Sequence, residues 1–165
     1  DADQPNPGDL QVFVSILARY RNWVQALSRP VREKIKELIK GQRLVVVDDS
    51  IIRGTTTKAR VKSLREAGAK EIHMRVSCPP TKHSCFYGID FPNRKQLIAN
   101  TMTLEEIRKF IGVETLGYLS IEGLLQAVGK PSNYCTACWS GTYPIPFGEE
   151  GDKFALEKHA GQGCG

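Results

Sequence analysis

Two adjacent carboxylates, Asp48 and Asp49, follow the apolar run Leu44-Val45-Val46-Val47, and after them come Ser50-Ile51-Ile52-Arg53-Gly54-Thr55-Thr56-Thr57. A short β-branched run of this kind reads as a strand buried on both faces of a parallel sheet. Open α/β sheets bind ligands beyond the carboxyl ends of their strands, where this acid pair falls. A glycine with several hydroxyls then opens a helix predicted over 56–67, and backbone N–H groups at a helix N-terminus cradle phosphate. Gly54 lets the backbone come close, and Ser50, Thr55 and Thr56 add donors. Asp48 and Asp49 then stand beyond the phosphate, suited to sugar hydroxyls or to Mg²⁺ held through water. A single acid there with a Thr helix cap would be ordinary. Two of them before a Gly/Thr-rich loop point to a phosphosugar site. No Gly-Lys-Ser/Thr follows, so this is not a Walker loop, nor is it Gly-x-Gly-x-x-Gly.

Sulfur is the second chemistry. Of five cysteines, two form Cys135-Thr136-Ala137-Cys138, a two-ligand bite for a metal or cluster, with two free core thiols as the plain alternative. His73 and His83 read as strand and surface residues, and Cys164 sits in a Gly-rich tail with no specific role. No secretory signal is legible, which favours metal or redox use over a disulfide framework.

The elements that must position these groups follow from period and punctuation. Leu10, Phe13, Leu17, Tyr20, Val24 and Leu27 recur at helical spacing. Pro30 opens a second helix with Val31, Ile35, Leu38 and Ile39 on one face and Gly41 as its stop. Residues 71–77 alternate as a strand, so 44–77 reads as a βαβ unit, right-handed and parallel. Thr103-Leu104-Glu105-Glu106 starts a short helix as a capping box that Gly112 stops. A third strand is expected at 116–119, and Ser120 caps a helix ending before Gly129. The segment from Lys130 onward is irregular.

Composition bounds the rest. The 165 residues fit one domain; 41% hydrophobic with 25% charged residues argues for a packed core. No apolar stretch approaches the roughly 20 residues of a membrane span. The net charge of +5 suits phosphates as well as nucleic acid, and no basic block interleaved with aromatics favours the latter.

The Asp-Asp-Ser and Arg-Gly-Thr-Thr stretch resembles the phosphoribosylpyrophosphate (PRPP) motif of type I phosphoribosyltransferases, in the variant of glutamine PRPP amidotransferases. The resemblance runs on through Leu64-Arg-Glu-Ala-Gly-Ala-Lys-Glu71, Cys85-Phe-Tyr-Gly-Ile-Asp90, Leu116-Gly-Tyr-Leu-Ser-Ile-Glu-Gly-Leu124 and Cys135-Thr-Ala-Cys138, over roughly residues 30–158. It implies an α/β, partial type I phosphoribosyltransferase fold with a parallel βαβ core. The expected division is a helical segment at 1–28, a phosphoribosyltransferase part at 29–158 with an irregular Cys-containing end, and a Gly-rich tail at 159–165.

The implied activity is conversion of PRPP, glutamine and water into phosphoribosylamine, glutamate and pyrophosphate, in purine synthesis in the cytoplasm, by an enzyme that is a homo-oligomer. The residues from Asp48, Asp49 and Ser50 through Ile51, Ile52, Arg53 and Gly54 to Thr55 and Thr56 are then the PRPP contacts, with Asp48 and Asp49 also on Mg²⁺. Cys85, Cys135 and Cys138 match ligands of a [4Fe–4S] cluster whose fourth family ligand lies upstream, with Cys78 or a zinc site as alternatives. The family's glutaminase cysteine has no counterpart here, so no catalytic residue is assigned, glutamine would act only through another domain, and this chain alone is expected to be inactive. A PRPP-sensing regulator is the contrasting reading.

Overall fold

The computed structural model describes residues 10–14, 29–89, 93–129 and 133–145. Four strands, β1 (Leu10–Val14), β2 (Arg43–Asp48), β3 (Glu71–Val76) and β4 (Thr115–Tyr118), form one sheet in sequential order, all parallel. Between them run α1 (Arg29–Ile39), α2 (Thr55–Glu66), the single turn α3 (Ile98–Thr101) and α4 (Leu104–Ile111); α5 (Ile121–Val128) and α6 (Ala137–Ser140) follow. The expected βαβ unit is β2-α2-β3, with Arg43 opposite Glu71 and Asp48 opposite Val76.

The helix expected from Leu10 is not what the first five residues form. Leu10-Gln-Val-Phe-Val pairs along the edge of β2, Leu10 beside Arg43 and Val14 beside Val47. β-branched Val12 and Val14 with Phe13 suit a pleated surface, and an open strand edge offers a row of backbone partners. The remainder of that periodic stretch, 15–28, lies outside the described residues, as do Asp90 and Cys164.

β2 is not covered equally on both faces either. Leu44, Val46 and Asp48 are buried, whereas Arg43, Val45 and Val47 are half-buried. Ile35 and Ile39 of α1, Val61 of α2, and Ile107 and Ile111 of α4 all join one cluster with Leu44, Val46, Ile72, Met74, Val76 and Leu116. Successive right-handed crossovers stepping the same way along a sheet leave their helices on the same side. The opposite face carries polar pairs beside Val45 and Val47: Arg43 pairs with Glu71 at 2.7 Å, and His73 meets Glu71 at 3.2 Å and Thr115 at 3.0 Å. Leu38, expected on the apolar stripe of α1, is 53% exposed, because at about 100° per residue it sits at the stripe's edge.

Local signals elsewhere act as written. Thr103 Oγ1 accepts from the Glu106 N–H and the Glu106 carboxylate accepts from the Thr103 N–H, a complete capping box, and left-handed Gly112 ends the helix. Ser120 accepts from the Gly123 N–H and caps α5. At the other end of the sheet, Glu114 Oε2 accepts from the Ile72 N–H at 2.6 Å and is paired with Arg65 of α2. These ties fix the amino ends of β3 and β4, so the carboxyl ends of the strands are left to form the site.

Candidate functional site

Asp48 is the last residue of β2 and continues its alternation, so its side chain falls on the helix-covered face with Leu44 and Val46. It is 4% exposed, and its Oδ2 lies 2.7 Å from Arg60 Nη1 of α2. Burial pushes its carboxyl up to about 6 from 3.8, against the opposing pull of Arg60. Oδ1 accepts from the Asp49 N–H at 3.2 Å, and the Asp48 carbonyl accepts from the Ser77 N–H at 2.9 Å. Asp49 is exposed. The two predicted carboxylates therefore sit together and have opposite surroundings.

The loop after them is anchored by its apolar residues and open at its polar ones. Ile51 is 2% exposed and enters the core, and the Ile52 carbonyl accepts from the Ile98 N–H at 2.8 Å. Arg53 is exposed and donates to Gln96 Oε1 at 3.0 Å. Gly54 stands at the N-cap of α2 with φ +74°. A Cβ there would meet Ile98 Cδ1 at 2.8 Å and Phe110 Cε1 at 3.1 Å, so both backbone and packing demand glycine. No side chain caps α2 and its first turn carries no acid. Thr55 and Thr56 are exposed beside half-buried Ser50, while Thr57 is 4% exposed. In the second turn, Lys58 Nζ rests 4.3 Å from the centre of the Phe110 ring. An uncapped helix start with exposed hydroxyls, behind a surface carboxylate, suits an anion attached to a polyol.

Residues 48–56 thus lie together at the carboxyl end of β2 and the start of α2. Arg60 and Ser77, which hold Asp48 in place, were not singled out from the sequence. A signal for Arg60 existed: it lies three residues after Thr57 and four before Leu64, on the inward stripe of its helix.

The cysteines lie on two segments clipped to one another. The Lys82 and His83 N–H groups both donate to the Cys138 carbonyl, at 3.1 and 3.0 Å, and Tyr143 Oη donates to the Ser84 carbonyl at 2.6 Å. The Phe86 and Tyr143 rings pack tilted, their centres 5.3 Å apart. The Cys138 thiol is raised by burial, and further by Cys85 and Cys135. Burial lifts Cys78 to about 11, with Asp49, Cys138 and Asp48 adding to it. The thiols share a neighbourhood, and their chemistry suits iron or zinc. Yet among the described residues no three His, Cys, Asp or Glu side chains converge on one metal position, with Cys78 or without it. His73 is a strand residue, as expected; His83, expected at the surface, is half-buried against Gly141, and burial lowers its ring nitrogen's affinity for protons. No helix among the described residues is long and apolar enough to cross a membrane.

A parallel sheet ending in an acid pair, followed by a glycine-opened loop at a helix start, defines part of a type I phosphoribosyltransferase fold. No family model matches the chain. It is 51% identical over 113 residues to an amidophosphoribosyltransferase of Methanothermobacter thermautotrophicus, covering 68% of this chain and 24% of that protein. It is 52% identical over 122 residues to one of Mycobacterium tuberculosis, covering 70% and 23%. In solved structures it matches the glutamine PRPP amidotransferase of B. subtilis, complexed with ADP and GMP, at TM-score 0.67 and 34% identity, over 86% of this chain and 39% of that one. A structure described as the allosteric regulatory enzyme of purine biosynthesis matches at TM-score 0.66 and 42% identity, over 75% of this chain and 30% of that one. The chain belongs with the amidophosphoribosyltransferases over this stretch, and spans about a quarter of the length of these curated relatives.

Proposed function

We propose that this chain supplies the PRPP-binding part of an amidophosphoribosyltransferase. In that reaction ammonia released from glutamine forms a bond to the anomeric carbon of PRPP, the bond to pyrophosphate breaks, and the new amine sheds a proton. The transition state is a sugar-centred cation with charge departing on pyrophosphate, so positioning and charge placement dominate. The uncapped N-terminus of α2, opened by Gly54, carries the reading: Thr55, Thr56 and Ser50 surround the place of the 5′-phosphate. The acid pair serves the ribose hydroxyls, with Asp49 the member at the surface. Mg²⁺, when bound, would neutralise the departing pyrophosphate, and Asp49 is the exposed carboxylate that could hold it through water.

Titration calorimetry with ribose 5-phosphate, with and without Mg²⁺, tests the assignment. Asp48→Asn with Asp49→Asn should remove the Mg²⁺-dependent part of the affinity; an unchanged affinity refutes it. A [4Fe–4S] cluster on Cys85, Cys135 and Cys138 is proposed separately, on the shared neighbourhood of these thiols across two clipped segments. No step of the transfer depends on it. Anaerobic reconstitution followed by iron and sulfide analysis decides it: absent iron, or iron undiminished in Cys135→Ser with Cys138→Ser, ends that proposal.

A further inference from the structure

The start of α2 carries no acid in its first turn and no side-chain cap, and the first charge met after Gly54 is a cation, Lys58. A cation this near the positive end of a helix dipole is unfavourable on its own and favourable once an anion stands there. Side chains on a helix lean back toward its N-terminus, so Lys58 reaches toward Gly54. Its ammonium rests 4.3 Å from the centre of the Phe110 ring, and Cε1 of the same ring lies 3.1 Å from where a Cβ on Gly54 would stand. One ring of α4 therefore borders the opening of α2 and holds the ammonium beside it. Lys36, Lys62 and Lys109 each meet a glutamate one turn away, which cancels their charge locally. Lys58 has no carboxylate partner among the described residues; it has the ring. A ring face orients an ammonium without neutralising it, and its N–H groups remain to donate. Resting on the phosphosugar reading above, we propose that Lys58 is a further phosphate-binding side chain of this site, and that Phe110 is the positioning residue that holds its ammonium there. Holding the ammonium in place before the ligand arrives removes part of the ordering cost a free lysine side chain carries.

Two measurements on the full chain separate this from the reading it rests on. The first needs no ligand. In NMR spectra the Lys58 Cε protons should lie upfield of those of the other lysines, under the ring current of Phe110, and return among them in Phe110→Leu. Undisplaced resonances in the wild type overturn Phe110's hold on the ammonium. The second is affinity for ribose 5-phosphate and for inorganic phosphate, by titration calorimetry at low salt. Lys58 is exposed, so Lys58→Gln leaves the fold intact. That variant should weaken both ligands about fivefold, with or without Mg²⁺, and Lys58→Arg should restore most of the loss. In about 1 M salt, where the Debye length falls to ~3 Å, the Lys58→Gln loss should shrink below about twofold. Phe110→Leu should cost about two- to threefold in affinity, and almost nothing further in the Lys58→Gln background. Lys58→Gln within about 1.5-fold of the wild type, or a loss that salt leaves untouched, overturns Lys58's contact with the phosphate. An equal Phe110→Leu loss with and without Lys58 means the ring acts through packing alone and overturns its positioning role. A wild-type chain that binds neither ligand overturns the phosphosugar reading and Lys58's place in it, while the resonances decide Phe110's hold on Lys58 independently.

Discussion

Replacing Gly54 by alanine asks two things of the loop after β2 at once, and the structure contains its own control for one of them. At φ +74° an L-residue carries a steric cost of roughly 1–2 kcal/mol. The added methyl would also stand 2.8 Å from Ile98 Cδ1 and 3.1 Å from Phe110 Cε1. Ile98 is 4% exposed, so it yields only by pressing on its neighbours, and overpacking of this kind costs about 1–3 kcal/mol. The sum is about 2–5 kcal/mol, a large share of the roughly 5–15 kcal/mol that holds a domain together. Gly41 has φ +75° and nothing within 4 Å of a built Cβ, so Gly41→Ala reports the backbone part alone. Urea unfolding should therefore show Gly54→Ala costing more than Gly41→Ala by about 1–3 kcal/mol, with Tm lower by about 3 °C per kcal/mol. Ile98→Val removes the very atom at 2.8 Å. Alone it should cost about 1 kcal/mol, but combined with Gly54→Ala it should recover about that much, a coupling a double-mutant cycle reads directly. Gly54→Ala no more costly than Gly41→Ala, or strict additivity with Ile98→Val, would refute the close packing of this loop against α3 and α4.

The raised carboxyl of Asp48 gives a second expectation: the folded state holds its proton more tightly than the unfolded chain, so this group stabilises the fold below about pH 4 and loses that contribution as pH rises through about 6. Asp48→Asn should lack this slope, and the difference between the two stability–pH curves should change by about 3 kcal/mol from pH 4 to above 6; parallel curves contradict it. Thr103→Ala should cost about 1 kcal/mol through loss of the capping box, measured by urea unfolding. Glu114→Gln should cost about 1–2 kcal/mol, because the Ile72 N–H and Arg65 lose a charged acceptor; no loss would mean those bonds are replaced by water.

What was legible in the sequence was local. The β2 run, the Gly54 opening, the capping box and Ser120 are each decided by a few adjacent residues, and each appears where its chemistry places it. At Leu10–Val14, Leu10 and Phe13 satisfy a helical spacing just as they fit a strand, and only the open edge of β2 chooses between them. The unequal cover of β2 depends on the direction of three crossovers, which Val45 and Val47 cannot announce. Asp48 and Asp49 are one motif in sequence, and the bond of Asp48 to Arg60, twelve residues on, exists only after α2 folds back over the sheet. The sulfur neighbourhood likewise needs the segment at 82–86 to meet the one at 136–143, over an interval no spacing rule spans.

The backbone hydrogen bonds of the loop after β2 have a consequence for its sign. The carbonyl of Asp48 is occupied by Ser77, that of Ile52 by the Ile98 N–H and that of Gly54 by the Lys58 N–H, at 2.8 to 2.9 Å. Each of those oxygens, turned outward, would repel a phosphate and welcome a metal ion. With these three carbonyls taken up by the scaffold and by α2 itself, and the positive end of α2 at the loop's tip, the backbone there is disposed to favour an anion, and Asp49 is the exposed carboxylate beside it. Polarity at this site is thus set by which backbone atoms the core consumes, and side chains only amend it.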